Sequence, residues 1–186
     1  MKVTRAQAEE NRERILDSAA QLFRERGFDG IGLNELMQAA GLTRGGFYGH
    51  FESKDDLAAQ AVKRAMDTNR ELWKQQTDRS LAAWVTSYLS DAHCERPGAG
   101  CALASLASDA ARGGPAVQTV FAEGVRRLAG TLQGQMPGAD AVEQREQALA
   151  MLSTLVGAVL LSRAVGDPGL SRELREAARK SLPAGG

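Results

Sequence analysis

The stretch LNELMQAAGLTRGGFYGHFESK, residues 33–54, decides the fold. Leu33, Leu36, Met37 and Ala40 recur at helical spacing, and Gly41 supplies the left-handed backbone that ends a helix sharply. Leu42 packs the corner, and Thr43 is placed to cap a second helix starting at Arg44. Gly45 and Gly46 each cost about 1 kcal/mol relative to alanine inside a helix. Two such residues before Phe47 and Tyr48, on a segment too short to stand alone, imply a backbone that must approach something closely. A helix-turn-helix whose second helix enters a DNA major groove has that form.

The flanks extend the same unit. A helix is predicted over Glu10–Arg26, with Ile15, Ala19 and Phe23 on one stripe, Leu16 and Ala20 on the next, and Gly27 as its stop. Phe47 and Phe51 lie four apart and close a three-helix core. Ser53 and Asp56 form a capping box for a fourth helix, along which Leu57, Ala61, Val62, Ala65, Leu72 and Trp73 face inward.

Alternating β-branched runs do not occur, so the chain reads as all-α. No apolar segment follows the opening MKVTRAQAEENRER, which argues against a secretory signal. Two cysteines in 186 residues suit a reducing compartment, and a cytoplasmic location is expected. The longest apolar run, Ala148–Leu161, is broken by Ser153, Thr154 and Gly157 and reads as too short to span a bilayer. Charge gives DNA binding no support, because residues 1–54 hold eight Lys/Arg and eight Asp/Glu. Any positive face must come from sorting in three dimensions.

The run AAGLTRGGFYGHFESKDDL, residues 39–57, is similar to the N-terminal domain of the TetR/AcrR family of bacterial transcriptional regulators. NRERILDSAAQLFRERGFDG, residues 11–30, resembles that family's first helix and the turn after it, and the likeness covers about residues 8–68. It implies a helix-turn-helix DNA-binding domain over 1–53 and a helical regulatory and dimerisation domain over 54–186. Thr43, Arg44, Gly45 and Gly46 then lead the recognition helix toward base edges. Arg44 reads guanine bidentately, touches only phosphate, or is simply solvated. Tyr48 and His50 resemble the family's backbone-contacting positions, with an ordinary half-buried aromatic as the alternative for Tyr48. Lys54 holds a phosphate at the start of the fourth helix. Lys2 and Arg5 suggest a flexible arm. Ile31 and Gly32 depart from the family, which commonly has hydroxyl residues there, and Gly46 replaces a bulkier residue.

The second half stays helical between breaks at Glu95–Gly98, Gly113–Pro115, Pro137-Gly138 and Asp167–Gly169. Ala148–Leu161 is apolar nearly all round, so it is either a central helix of a monomer or shared between its own domain and a second chain. The resemblance favours a homodimer through about residues 142–182, hence an inverted-repeat operator. It also implies an inducer pocket, for which Met66, Asn69, Trp73, Trp84, Tyr88, Leu103 and Phe121 are candidates, with plain core packing as the alternative. Cys101, opening a helix after Gly100, is expected to have a lowered thiol pKa; with Cys94 it forms a possible redox pair, against the alternative of inert cysteines. Neither a metal nor a cofactor is expected. Catalytic motifs are absent, so an enzyme is not expected. The remaining rival is a helical ligand-binding or thiol-sensing dimer with weak or lost DNA recognition.

Overall fold

The computed structural model describes residues 4–77 and 80–182, without the side chains of 71, 72 and 75–77; Lys2 and the Leu72 side chain lie outside the described residues. Among the described residues every regular element is helical. Helix α1 spans Arg5–Arg26, α2 Leu33–Ala39 and α3 Lys54–Thr77, with a 3-10 segment at Arg44–Gly49 between the last two. Helices α4 (Leu81–Tyr88) and α5 (Asp91–Glu95) follow, then a 3-10 turn at Pro97–Ala99. Helices α6 (Ala102–Arg112), α7 (Pro115–Gln133), α8 (Ala141–Ala164) and α9 (Pro168–Ser181) complete the chain.

Local chemistry explains the boundaries. The Thr4 hydroxyl accepts from Gln7 N at 3.2 Å, so α1 begins at Arg5 rather than Glu10, and Arg5 is helical rather than part of a loose arm. Gly27 ends α1 at φ 74°, and Gly41 ends the α2 turn at φ 70°. A Cβ at Gly41 would also displace Arg14 Nη2, 2.4 Å away, from its hydrogen bond to the Ala40 carbonyl at 2.6 Å. Ser53 caps α3 through Asp56 N at 3.0 Å, but the Asp56 carboxylate accepts from Glu52 N, one residue before the expected partner.

Two cores hold the chain. The first joins Ile15, Phe23, Leu36, Met37, Phe47, Phe51, Leu57 and Val62 to Leu106 and Val117 of the second half. Phe47 and Phe51 stack at 5.7 Å, closing the three-helix unit as their spacing predicts. Ile31 is 1% exposed in this core, so the departure at that position exchanges a hydroxyl for packing, and Gly32 leaves α2 without a side-chain cap. The second core unites α4, α6, α7, α8 and α9 around Trp84, Leu132, Met151 and Leu155.

Helix α8 is 24 residues long, and by length and composition it could cross a membrane, contrary to the expectation from its apolar run. Its Ala148, Met151, Leu152, Leu155 and Val159 are buried in the second core. Val142, Leu149 and Leu161 on the same helix, and Leu170 on α9, stay exposed. Arg175 of α9 is buried and donates to the Leu89 carbonyl at 2.9 Å and to Asp91 at 2.5 Å, pinning the last helix to the α4–α5 corner.

Candidate nucleic-acid interface and ligand chamber

The helix-turn-helix presents one polar edge. Thr43, Arg44, Gly45, Gly46 and Tyr48 are exposed, Tyr48 by 69%, which excludes the half-buried reading of that ring. His50 and Lys54 are half-buried at the edge's far end. The segment is a 3-10 helix rather than the expected α-helix, and Thr43 makes no side-chain cap bond. Three glycines in six residues explain this, because their backbone freedom weakens a regular α-turn. A Cβ at Gly45 or Gly49 would meet nothing within 4 Å, and at Gly46 only Met37 Cε at 3.9 Å. The fold itself therefore has no steric need for these glycines.

Electrostatic sorting resolves the neutral charge count in part. Arg64 of α3 holds Glu13, and also Asp17 at 2.7 Å, on the α1–α3 face, while Arg26 holds Glu35. Arg44 and Lys54 take part in none of the salt bridges among the described residues. Their charges remain at the polar edge.

In the second half, a cleft of about 280 Å³ opens between α3, α4 and the 97–100 turn, lined among others by Asn69, Trp73, Trp84, Tyr88, His93 and Arg96. A narrower recess between α3, α6 and α7 is lined by Met66, Asn69, Trp73, Cys101 and Leu103, so Asn69 and Trp73 border both. A Cβ at Gly124 would lie 1.9 Å from Met66 Sδ, so this glycine makes the space that Met66 fills. Phe121 lines neither; it sits in a separate groove with Leu149, Leu152 and Val156. Six of the seven candidate residues thus gather around two adjoining cavities, and Phe121 does not.

Asn69, 5% exposed, is engaged rather than idle. Its Nδ2 donates to the Gly100 carbonyl at 2.7 Å, and Arg24 Nη1 of α1 donates to the same oxygen at 2.9 Å. One carbonyl on the chamber wall therefore ties the cavity-lining helix to the helix-turn-helix unit. Next to it, Cys101 N donates to His93 Nε2 at 2.9 Å, so Nδ1 carries the proton and donates to the Tyr88 carbonyl at 2.5 Å. Burial, with the Arg163 charge, pushes the His93 pKa below its ordinary value. Arg163 of α8 donates to the His93 and Cys94 carbonyls at 2.8 and 3.0 Å and to Ser105 Oγ at 2.9 Å. Arg24 and Arg163 were not foreseen from the sequence, because their partners lie 76 and 70 residues away and no local pattern marks such pairs.

Burial works against the reactive thiol expected at Cys101. Cys101 is completely buried, and burial raises its pKa despite hydrogen bonds from Tyr88 and from the backbone of α6. Cys94 is 9% exposed, and burial raises its pKa as well. Burial favours the protonated thiol at both positions. Among the described residues no cluster of His, Cys, Asp or Glu could hold a metal ion.

Residues 15–61 match the bacterial regulatory proteins of the tetR family. Over 75 residues the chain is 43% identical to the HTH-type transcriptional repressor BepR of Brucella suis, covering 40% of this chain and 36% of that protein. Over 57 residues it is 44% identical to the HTH-type transcriptional regulator AcrR of Shigella flexneri, covering 31% and 26%. The chain thus spans only about a quarter to a third of the length of these curated relatives. Solved structures match over nearly the whole chain. A TetR transcriptional regulator from Chloroflexus aurantiacus gives a TM-score of 0.76 at 27% identity, covering 95% of this chain and 94% of that one. The reduced form of E. coli NemR gives 0.76 at 21% identity, covering 93% and 95%, a likeness of fold alone.

Proposed function

We propose that this chain, which belongs to the TetR/AcrR family of bacterial transcriptional regulators, is a homodimeric repressor released from an inverted-repeat operator by a small molecule. DNA binding rests on the match of residues 15–61 to the tetR family; the sign of regulation, the operator and the release rest on the geometry below. The observation that carries it is the exposed edge Thr43–Gly46, whose glycines answer no packing need of the fold. In a major groove, missing side chains let the backbone come close to DNA while Arg44 reaches base edges and Tyr48, His50 and Lys54 reach phosphates.

The regulatory half of the reading rests on the Gly100 carbonyl. A ligand that shifts Asn69 or the 97–100 turn also acts on Arg24, and through it on the orientation of α1. Linkage requires only that the ligand prefer the arrangement in which the two recognition segments no longer match the operator. The exposed apolar residues of α8 and α9 are suited to meet a second copy.

Selection of binding sites from a random duplex pool at near-physiological salt tests this. An enriched inverted repeat, bound with a steep loss of affinity on added salt, is expected. A folded dimer that enriches nothing would overturn the operator reading.

A further inference from the structure

We infer that Arg12 of α1 is a positioning residue for DNA binding, acting through Gln60 and Asp56 of α3 on the 52–54 link that presents Lys54. The inference rests on the reading of Lys54 as a phosphate contact and adds what holds that contact in place.

A chain of hydrogen bonds crosses from α1 to the start of α3. Arg12 Nη2 donates to Gln60 Oε1, and Gln60 Nε2 donates to Asp56 Oδ1 at 2.7 Å. Asp56 Oδ2 accepts from Glu52 N at 3.1 Å, two residues before Lys54, while Asp56 N donates to Ser53 Oγ at 3.0 Å. A guanidinium only donates and a carboxylate only accepts, so the Gln60 amide between them has one workable orientation. Turning it over would set donor against donor at Arg12 and acceptor against acceptor at Asp56. The two bonds that join Arg12 to Asp56 are part-buried, where water competes less for them.

The same guanidinium lies over the Phe51 ring, 5.4 Å from its centroid. Phe51 is buried and stacked on Phe47 of the recognition segment. Arg12 therefore holds the chain at Phe51 directly and at Glu52 through two intermediaries, between the phosphate contacts proposed for His50 and Lys54. Two residues further along α1, Arg14 donates to the Ala40 carbonyl at 2.6 Å, on the other side of the segment. Helix α1 thus grips the recognition segment at both ends.

The small core does not need such a relay to close, because Phe47, Phe51 and Leu57 are already buried by apolar contact. Apolar burial is non-directional, whereas a chain of hydrogen bonds fixes direction. Direction is what a phosphate contact at Lys54 requires.

Gln60→Met tests this, because it removes both bonds of the amide, keeps the side chain's length and leaves every charge in place. Affinity of the full-length protein for a selected duplex is measured by anisotropy across a salt series, with thermal denaturation of the same samples. In Gln60→Met the slope of log affinity against log salt is expected to fall by about one per protomer. Affinity at near-physiological salt should fall by about fivefold per protomer. Arg12→Met should match it, and the double variant should lose no more than either alone. Lys54→Met added to Gln60→Met should leave the slope unchanged from Gln60→Met. Asp56→Asn keeps the Ser53 cap and removes a negative charge beside Lys54, yet it should weaken binding. If Gln60→Met keeps the parent slope while Arg12→Met loses about one, Arg12 touches phosphate itself and the inference is overturned. A lowered melting temperature with the parent slope in both variants leaves a purely structural bridge and overturns it as well. A parent that selects no duplex rejects the operator reading, and the positioning role with it. A parent that binds, with Lys54→Met keeping its slope, rejects only the phosphate contact at Lys54 and the role of Arg12 built on it.

Discussion

Gly45 shows how a single residue separates stability from recognition. Its position has open space around a Cβ, so the Gly45→Ala variant should fold at least as well as the parent and gain up to about 1 kcal/mol from reduced backbone entropy. DNA affinity should nevertheless fall tenfold or more, because the added methyl stands where the groove must approach. Thermal denaturation and anisotropy on the same sample check both; an unchanged affinity would move the close contact elsewhere. Cys101 teaches the opposite lesson. A helix N-terminus alone favours a thiolate, but complete burial outweighs it. Iodoacetamide should therefore alkylate Cys101 in the folded protein much more slowly than free cysteine, and denaturant should abolish the difference. A fast folded-state rate would restore the sensing thiol.

At the scale of elements, the turn after α5 is held by one imidazole in one tautomer. His93 receives the Cys101 N–H and gives its own proton to the Tyr88 carbonyl, so a second proton would face a donor. Its pKa in the folded chain lies below the ordinary 6.5, so under acid the unfolded chain takes up a proton that the folded chain refuses. Stability from this site is complete above about pH 6.5 and falls as the pH drops below it. Urea denaturation at pH 7.5 and 5.5 should show a larger loss for the parent than for His93→Gln, which cannot titrate. Equal losses would show that His93 titrates alike in the folded and unfolded chain. The recognition segment illustrates another element-level effect. Its glycines were plain in the sequence, and they weaken a regular α-turn, so the Arg44–Gly49 segment, with Phe47 stacked on Phe51 in the core, is 3-10 rather than α-helical.

At the scale of the molecule, α8 has one face in its own core and leaves Val142, Leu149 and Leu161 outside. In an isolated chain Leu161→Glu changes an exposed side chain and should alter stability by less than about 0.5 kcal/mol. Across a twofold interface it would place two carboxylates in an apolar seam. Sedimentation equilibrium should show the parent as a dimer and this variant as a folded monomer with weakened operator binding. A variant that stays dimeric would move the interface off this face.

The sequence by itself determined the helix-turn-helix, because its signals are short-range: apolar spacing over one or two turns, a left-handed glycine at 41, a capping serine at 53 and the 39–57 motif. Six of the seven residues it suggested for a ligand pocket line one or other of two adjoining cavities, since inward-facing aromatic and Met positions on neighbouring helices tend to converge. Phe121 lines another groove, a matter of helix rotation rather than periodicity. Only the tertiary structure decided that Arg24 and Asn69 share the Gly100 carbonyl, that Arg163 braces the His93 turn, and that Cys101 is buried. The physical reason is common to all three. Hydrogen bonds and desolvation depend on atoms brought together from distant parts of the chain, and no local pattern of residues encodes which distant atoms those will be.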